Sequence, residues 1–287
     1  MTERLKILLL LAPALLVIGG LFGGGLLLGL IESFGYMPLL GQTELNLEAY
    51  RAIFASQSFW SGLGLSLYIS TVSTVIAGGL AIAAALVLRR AFKGRGIIRF
   101  LFQINLTVPH LVGAAGILYL FSQSGLFARL AHALGLIGGP SDFPALVFDP
   151  LAIGIILQYV WKEVPFIALI LLANMQAIGR DYESVARCLG AGPVQVFRHV
   201  LLPLILPALF AGSMIIFAFT FGAYEIPALL GETYPAPLPV LAYRAFTDVD
   251  LARRPEALAM AMIIAGLATL ILAGYAKLFY QRGGING

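Results

Sequence analysis

The chain has 287 residues, 60% of them hydrophobic and 11% charged, with a mean hydropathy of +0.94. A water-soluble domain needs far more charge on its surface, so the composition excludes one and selects an integral membrane protein. The net charge of +4 does not imply nucleic acid, because the basic residues lie beside apolar runs, and the single Cys188 excludes a disulfide framework or a cysteine metal cluster.

Met1 to Lys6 carries Arg4 and Lys6 and leads into the apolar run 7–31, longer than a secretory h-region and suited to a tilted, uncleaved span. Its glycines permit close packing in lipid. Residues 32–60 are more polar, and Leu47, Tyr50, Ile53 and Phe54 recur at helical spacing, as in an interfacial helix outside the membrane. The second span, 64–88, ends on Arg89, Arg90, Ala91, Phe92, Lys93, Gly94 and Arg95, with Arg99 beyond. This densest cationic cluster sets that end in the cytoplasm by the positive-inside rule.

The third span, 97–121, contains Gln103, Asn105, Pro109 and His110, and an outer loop with few charges follows. The fourth, 151–173, is interrupted by Trp161-Lys162-Glu163-Val164-Pro165-Phe166. A polar stretch, 179–203, precedes the fifth span, 204–230, and the sixth, 257–280. Basic groups flank the inner ends, so both termini are expected in the cytoplasm. The expected fold is therefore one all-α membrane domain, 1–287, with six transmembrane helices.

Polar groups at membrane depth are expensive and call for a role. Lys162 and Glu163 point about 100° apart on a helix, so each needs its own partner. That partner is either structural, such as Gln158 or the third span, or a transported solute. Pro165 is placed to free a carbonyl nearby. Asn105, His110 and Trp161 join them as candidate path residues, with Phe221, Tyr224 and Glu225 late in the fifth span. Glu225 should sit near the outer mouth, as a gate or as a hydrated surface group. No phosphate-binding loop, zinc motif or nucleophile elbow occurs, so this polypeptide is not expected to be an enzyme or to hold a metal or cofactor.

The polar stretch reads as two short helices and a turn. Asp181 caps the first, with Glu183 in its first turn. Gly190-Ala191-Gly192 ends it, and Pro193 opens the second, whose Val194 and Phe197 fall on one face. Pro203 and Pro207 are expected to bend the chain or start a new helix.

This stretch resembles the EAA loop of permease subunits of binding-protein-dependent ABC importers. Ala186, Gly190 and Val200-Leu201-Leu202-Pro203 keep the family register, while Ser184 and Val185 replace its Glu and first Ala. The resemblance implies a cytoplasmic coupling helix, with Asp181, Glu183, Ser184, Ala186, Arg187, Gly190, Ala191, Gly192 and Phe197 meeting an ATPase. It implies two ATP-binding cassette subunits carrying ATP and Mg, a second permease of similar or identical sequence, an extracytoplasmic solute-binding protein, and a bacterial inner-membrane location among lipids. Gly222-Ala223-Tyr224-Glu225-Ile226-Pro227 and the loop wording look most like the spermidine/putrescine branch. Relatives for ferric iron, phosphonate or sulfate share the architecture. An ion-coupled secondary transporter, with Lys162, Glu163 and Glu225 as a relay, is the alternative.

Overall fold

The structure, a computed structural model, describes residues 3–90, 93–179 and 181–283. Ala91 and Phe92 of the basic cluster, Arg180 and the two extreme chain ends lie outside them. The described chain is helical without strands, and six stretches are long and apolar enough to cross a membrane.

The first apolar run forms α1 (Glu3–Val17) and α2 (Gly24–Ser33), joined by a π-helical stretch, Ile18–Gly23, rich in glycine. Glycine leaves the backbone free to widen there. Most of the described side chains of α1 are exposed, whereas Gly29 of α2 lies against Met262. The expected interfacial helix is α3 (Glu48–Ala55), which buries Ala49 and Ile53 and links Tyr50 to Ser33 by a 2.9 Å hydrogen bond. It leads directly into α4 (Gln57–Leu88).

The third expected span is not one helix. α5 (Arg95–Thr107) stops at Val108, whose extended backbone precedes Pro109, and α6 (His110–Phe121) begins anew. Proline lacks an amide donor and disfavours helical geometry in the residue before it, so the pair severs the run. The stretch meeting span criteria is accordingly 110–133, which includes α7 (Leu126–Ala133), rather than 97–121.

The start of α8 (Ile153–Ile178) is fixed by Asp149, whose carboxylate accepts the amides of Leu151 and Ile153 at 2.9 to 3.0 Å. α8 continues through Pro165. Next come α9 (Asp181–Cys188) and α10 (Pro193–Val196). Of the two outcomes expected at Pro203 and Pro207, the start of a helix is found: α11 (Leu202–Gly222) begins one residue before Pro203 and follows α10 through a π turn, Phe197–Leu201. Pro203 lies in the first turn of α11, where a missing donor costs least. The fifth expected span, 204–230, breaks at the extended Ala223, and α12 (Glu225–Leu230) follows. Then come α13 (Leu238–Phe246) and α14 (Arg254–Gly283).

Lipid gives helices little hydrophobic reason to associate, so close contact depends on small side chains. α4 supplies them at spacings of three and four: Ser66, Ser70, Ser73, Ala77, Ala81 and Ala85 are all buried. Against this stripe pack Ile167, Ala168, Leu171 and Met175 of α8, with Ile205 and Ile216 of α11 completing the cluster. The three helices therefore form one central body. At its end opposite the basic cluster, Ser66 Oγ accepts the Leu238 amide at 2.8 Å, docking the start of α13. Gly62 makes that approach possible, since a Cβ there would lie 2.8 Å from the Ala236 carbonyl oxygen. Gly62→Val is expected to cost about 1–3 kcal/mol, the range for overpacking. An unshifted melting temperature in detergent would contradict this.

Candidate functional site

Two prolines generate the polar centre of the bundle. Pro165 cannot donate to the carbonyl of Trp161 one turn earlier, and Asn105 Nδ2 fills that vacancy at 3.0 Å. Pro109 in turn leaves the end of α5 short of donors. Lys162 Nζ supplies them, donating to the carbonyls of Asn105 at 2.6 Å, Leu106 at 3.2 Å and Val108 at 2.5 Å. An ammonium at a helix C-terminus also meets the negative end of the helix dipole. Lys162, 4% exposed, thus caps α5, with the third span as its partner.

Glu163 turns to the other side of α8 and lies 3.4 Å from His110 Nε2, while the carbonyl of His110 accepts from Gln158 Nε2 at 3.1 Å. Gln158 therefore binds α6, not Lys162. Gly113 lets α6 and α8 meet, since a Cβ there would lie 2.5 Å from Gln158 Nε2. The His110 ring also rests on Phe219 of α11, with centroids 4.8 Å apart. Asn105, His110, Lys162 and Glu163 are thereby brought together around the α5–α6 break, with α11 touching it.

The remaining path candidates fall elsewhere. Trp161 is half-exposed and borders an apolar groove of about 360 Å³ between α6 and α8. Phe221 is fully enclosed, stacked on Phe217, and is corrected to a packing residue; its place in the α11 sequence gave no sign of which way it faces. Tyr224 stacks on Tyr243 at 4.3 Å, and Glu225 opens α12 exposed to the surroundings.

At the basic end, α9 and α10 form a knuckle. Asp181 is the first helical residue rather than the cap, but it and Glu183 still place two carboxylates in the first turn. α9 ends in a Schellman motif: the Ala191 amide donates to the Ala186 carbonyl and the Gly190 amide to that of Arg187, both at 3.0 Å. Gly190 takes φ +87°, a left-handed conformation that glycine adopts without penalty. Gly192 precedes α10, and its amide donates to Gln195 Oε1 at 2.8 Å.

Glu183 faces inward. It pairs with Arg89 at the end of α4 and, at 3.7 Å, with Arg187. Arg89 Nη2 also donates to the Gly179 carbonyl at 3.3 Å, so one guanidinium ties α9 to α4. Phe197, expected as an outward anchor, is half-buried and packs against the central cluster. The exposed apolar residues of the knuckle are Tyr182, Val185, Leu189 and Val194. Ser184 is exposed as well, and Ala186 half-buried. The spacing of 182, 185 and 189 carried this signal in the sequence. Glu183→Gln is expected to loosen α9 by about 1.5–3 kcal/mol, the range for hydrogen bonds to charged groups. Amide exchange in 181–188 should quicken at least tenfold, and unchanged protection would contradict the tie.

Six helices long and apolar enough to cross a membrane, with a polar break between them and an apolar-faced knuckle at one end, make this a multi-pass membrane protein by its fold. The family model described as "Binding-protein-dependent transport system inner membrane component" matches residues 75–282. The chain belongs to this family, the permease subunits of ABC importers, which are transport components rather than enzymes. It is 30% identical over 249 residues to the molybdenum transport system permease protein ModB of Mycobacterium tuberculosis, covering 84% of this chain and 88% of ModB. It is 29% identical over 224 residues to the putrescine transport system permease protein PotI of Escherichia coli K12, covering 77% and 73%. Its fold is similar to that of a bacterial ABC transporter involved in the import of the acidic polysaccharide alginate, with a TM-score of 0.76 at 19% identity over 98% of this chain and 96% of that one.

Proposed function

We propose that the chain lies in a bacterial cytoplasmic membrane with both termini inside and couples solute passage to ATP hydrolysis on separate subunits. It pairs with a second permease, similar or identical, and receives solute from an extracytoplasmic binding protein. Two ATP-binding cassette subunits, holding ATP and Mg, dock on the knuckles of the two permeases. The observation that carries this reading is the knuckle itself, a braced two-helix element that turns Tyr182, Val185, Leu189 and Val194 away from its own bundle. Apolar and aromatic anchors of this kind fill pockets on partner proteins.

The connection to the polar centre supports the same reading. α10 runs through the π turn into α11, and Arg89 links α9 to α4, so displacement of the knuckle is delivered to both helices. From Leu202 to Phe219 α11 spans about 25 Å at 1.5 Å per residue. At that far point Phe219 presses on His110 beside the α5–α6 break. Closure of the ATPases would thus reach the break as a rigid-body motion.

The solute is read as a polyamine-like cation. Lys162 spends its ammonium on three carbonyls, which leaves Glu225 exposed at the far end to favour positive charge. The likeness to PotI agrees with this reading. The tagged chain should co-purify with a nucleotide-binding subunit, and the reconstituted importer should take up labelled putrescine in competition with spermidine. Recovery without an ATPase would overturn the coupling reading, and competition by molybdate alone would overturn the polyamine one.

A further inference from the structure

We propose that the cavity between the end of α4 and the knuckle binds a phosphate group. This cavity, about 290 Å³, is lined by Arg89, Arg90, Arg187 and Glu183 together with apolar residues that include Leu86 and Phe197. Three guanidiniums thus face one carboxylate. Glu183 is engaged closely by Arg89 and reaches Arg187 only at 3.7 Å. Arg90 is exposed and takes part in no ion pair among the described residues. The cavity therefore holds an excess of positive charge, on a side chain whose planar fork suits phosphate oxygens.

The apolar wall narrows the ligand further. Leu86 belongs to the last turn of α4, so the cavity straddles the point where that span ends and lipid phosphates lie. A phosphate held by Arg90, just beyond the end of α4, and Arg187 of α9 bridges the same part of the fold as the Arg89–Glu183 pair. It braces the knuckle from its open side. The phosphate is carried either by an anionic lipid headgroup or by a soluble phosphate compound, and the chemistry of recognition is the same.

The test uses the full chain in neutral detergent, so it does not depend on the coupling reading. Binding of phosphatidylglycerol, phosphatidylcholine and inorganic phosphate is followed by native mass spectrometry and thermal shift. Wild type is compared with Arg90→Gln/Arg187→Gln, with Arg90→Lys/Arg187→Lys, and with Arg129→Gln, which lies on the distant α7. Phosphatidylglycerol should bind the Gln pair at least tenfold more weakly than wild type and bind the Arg129 variant unchanged. The Lys pair, which keeps the charge, should retain part of the binding even if the Gln pair folds poorly. Displacement of the lipid by inorganic phosphate would identify a soluble source, and its failure to displace would identify the headgroup. Equal phosphatidylglycerol binding by wild type and both double variants, or no binding of either phosphate probe to wild type, would overturn the proposal.

Discussion

Lys162→Met is expected to destabilise the protein by about 2–6 kcal/mol, because unpaired buried polar groups cost about 1–3 kcal/mol each and two carbonyls lose their donor. The carbonyls of Leu106 and Val108 lose the Nζ donor, while that of Asn105 keeps a weaker bond from the Val108 amide at 3.2 Å. Methionine is one atom shorter than lysine but close to it in volume, so the loss is mainly one of hydrogen bonds. The shift should appear as a lower melting temperature in detergent and poor yield of inserted protein. If Lys162 instead served mainly to contact solute, the variant would melt like wild type and show only a changed KM. Asn105→Ala should behave in the same direction with a smaller effect, since it strands only the Trp161 carbonyl.

Gly190→Val is expected to spare insertion and abolish coupling. A side chain at φ +87° costs about 1–2 kcal/mol, more when β-branched, and the Schellman turn that ends α9 is lost with it. Nothing lies within 4 Å of a Cβ at this position, so the penalty is one of backbone conformation alone. Uptake should fall by tenfold or more while the protein still reaches the membrane in normal amount. Gly190→Asn, which tolerates the left-handed region, should retain much of the activity. Wild-type uptake by Gly190→Val would show that the geometry of this turn does not matter.

Much of the architecture was legible in the sequence because lipid imposes simple rules. Six apolar runs, the helical spacing of α3 and the Gly190 turn follow from span length, side-chain periodicity and glycine's conformational freedom. What was not legible depends on partners across the fold. The Val108-Pro109 break looked like part of a span because hydropathy ignores the missing amide. Lys162 is explained only when the donor-poor end of α5 is placed beside it, although Pro109 and Pro165 each announced a carbonyl in need. The inward packing of Phe197 and Phe221 depends on which helices lie beside them, which residue spacing along one helix does not reveal. Tyr182, Val185 and Leu189 carried their signal in spacing alone, as an apolar stripe on α9.

The decisive measurement uses the chain's single cysteine, Cys188, which is exposed on α9. The purified transporter is labelled there with a maleimide photocrosslinker, irradiated with and without ATP, and the adducts are identified by mass. A covalent product joining this chain to an ATP-binding cassette subunit is the predicted result. An intact, ATP-hydrolysing complex in which Cys188 captures only lipid or its own bundle would contradict the placement of the knuckle at the ATPase.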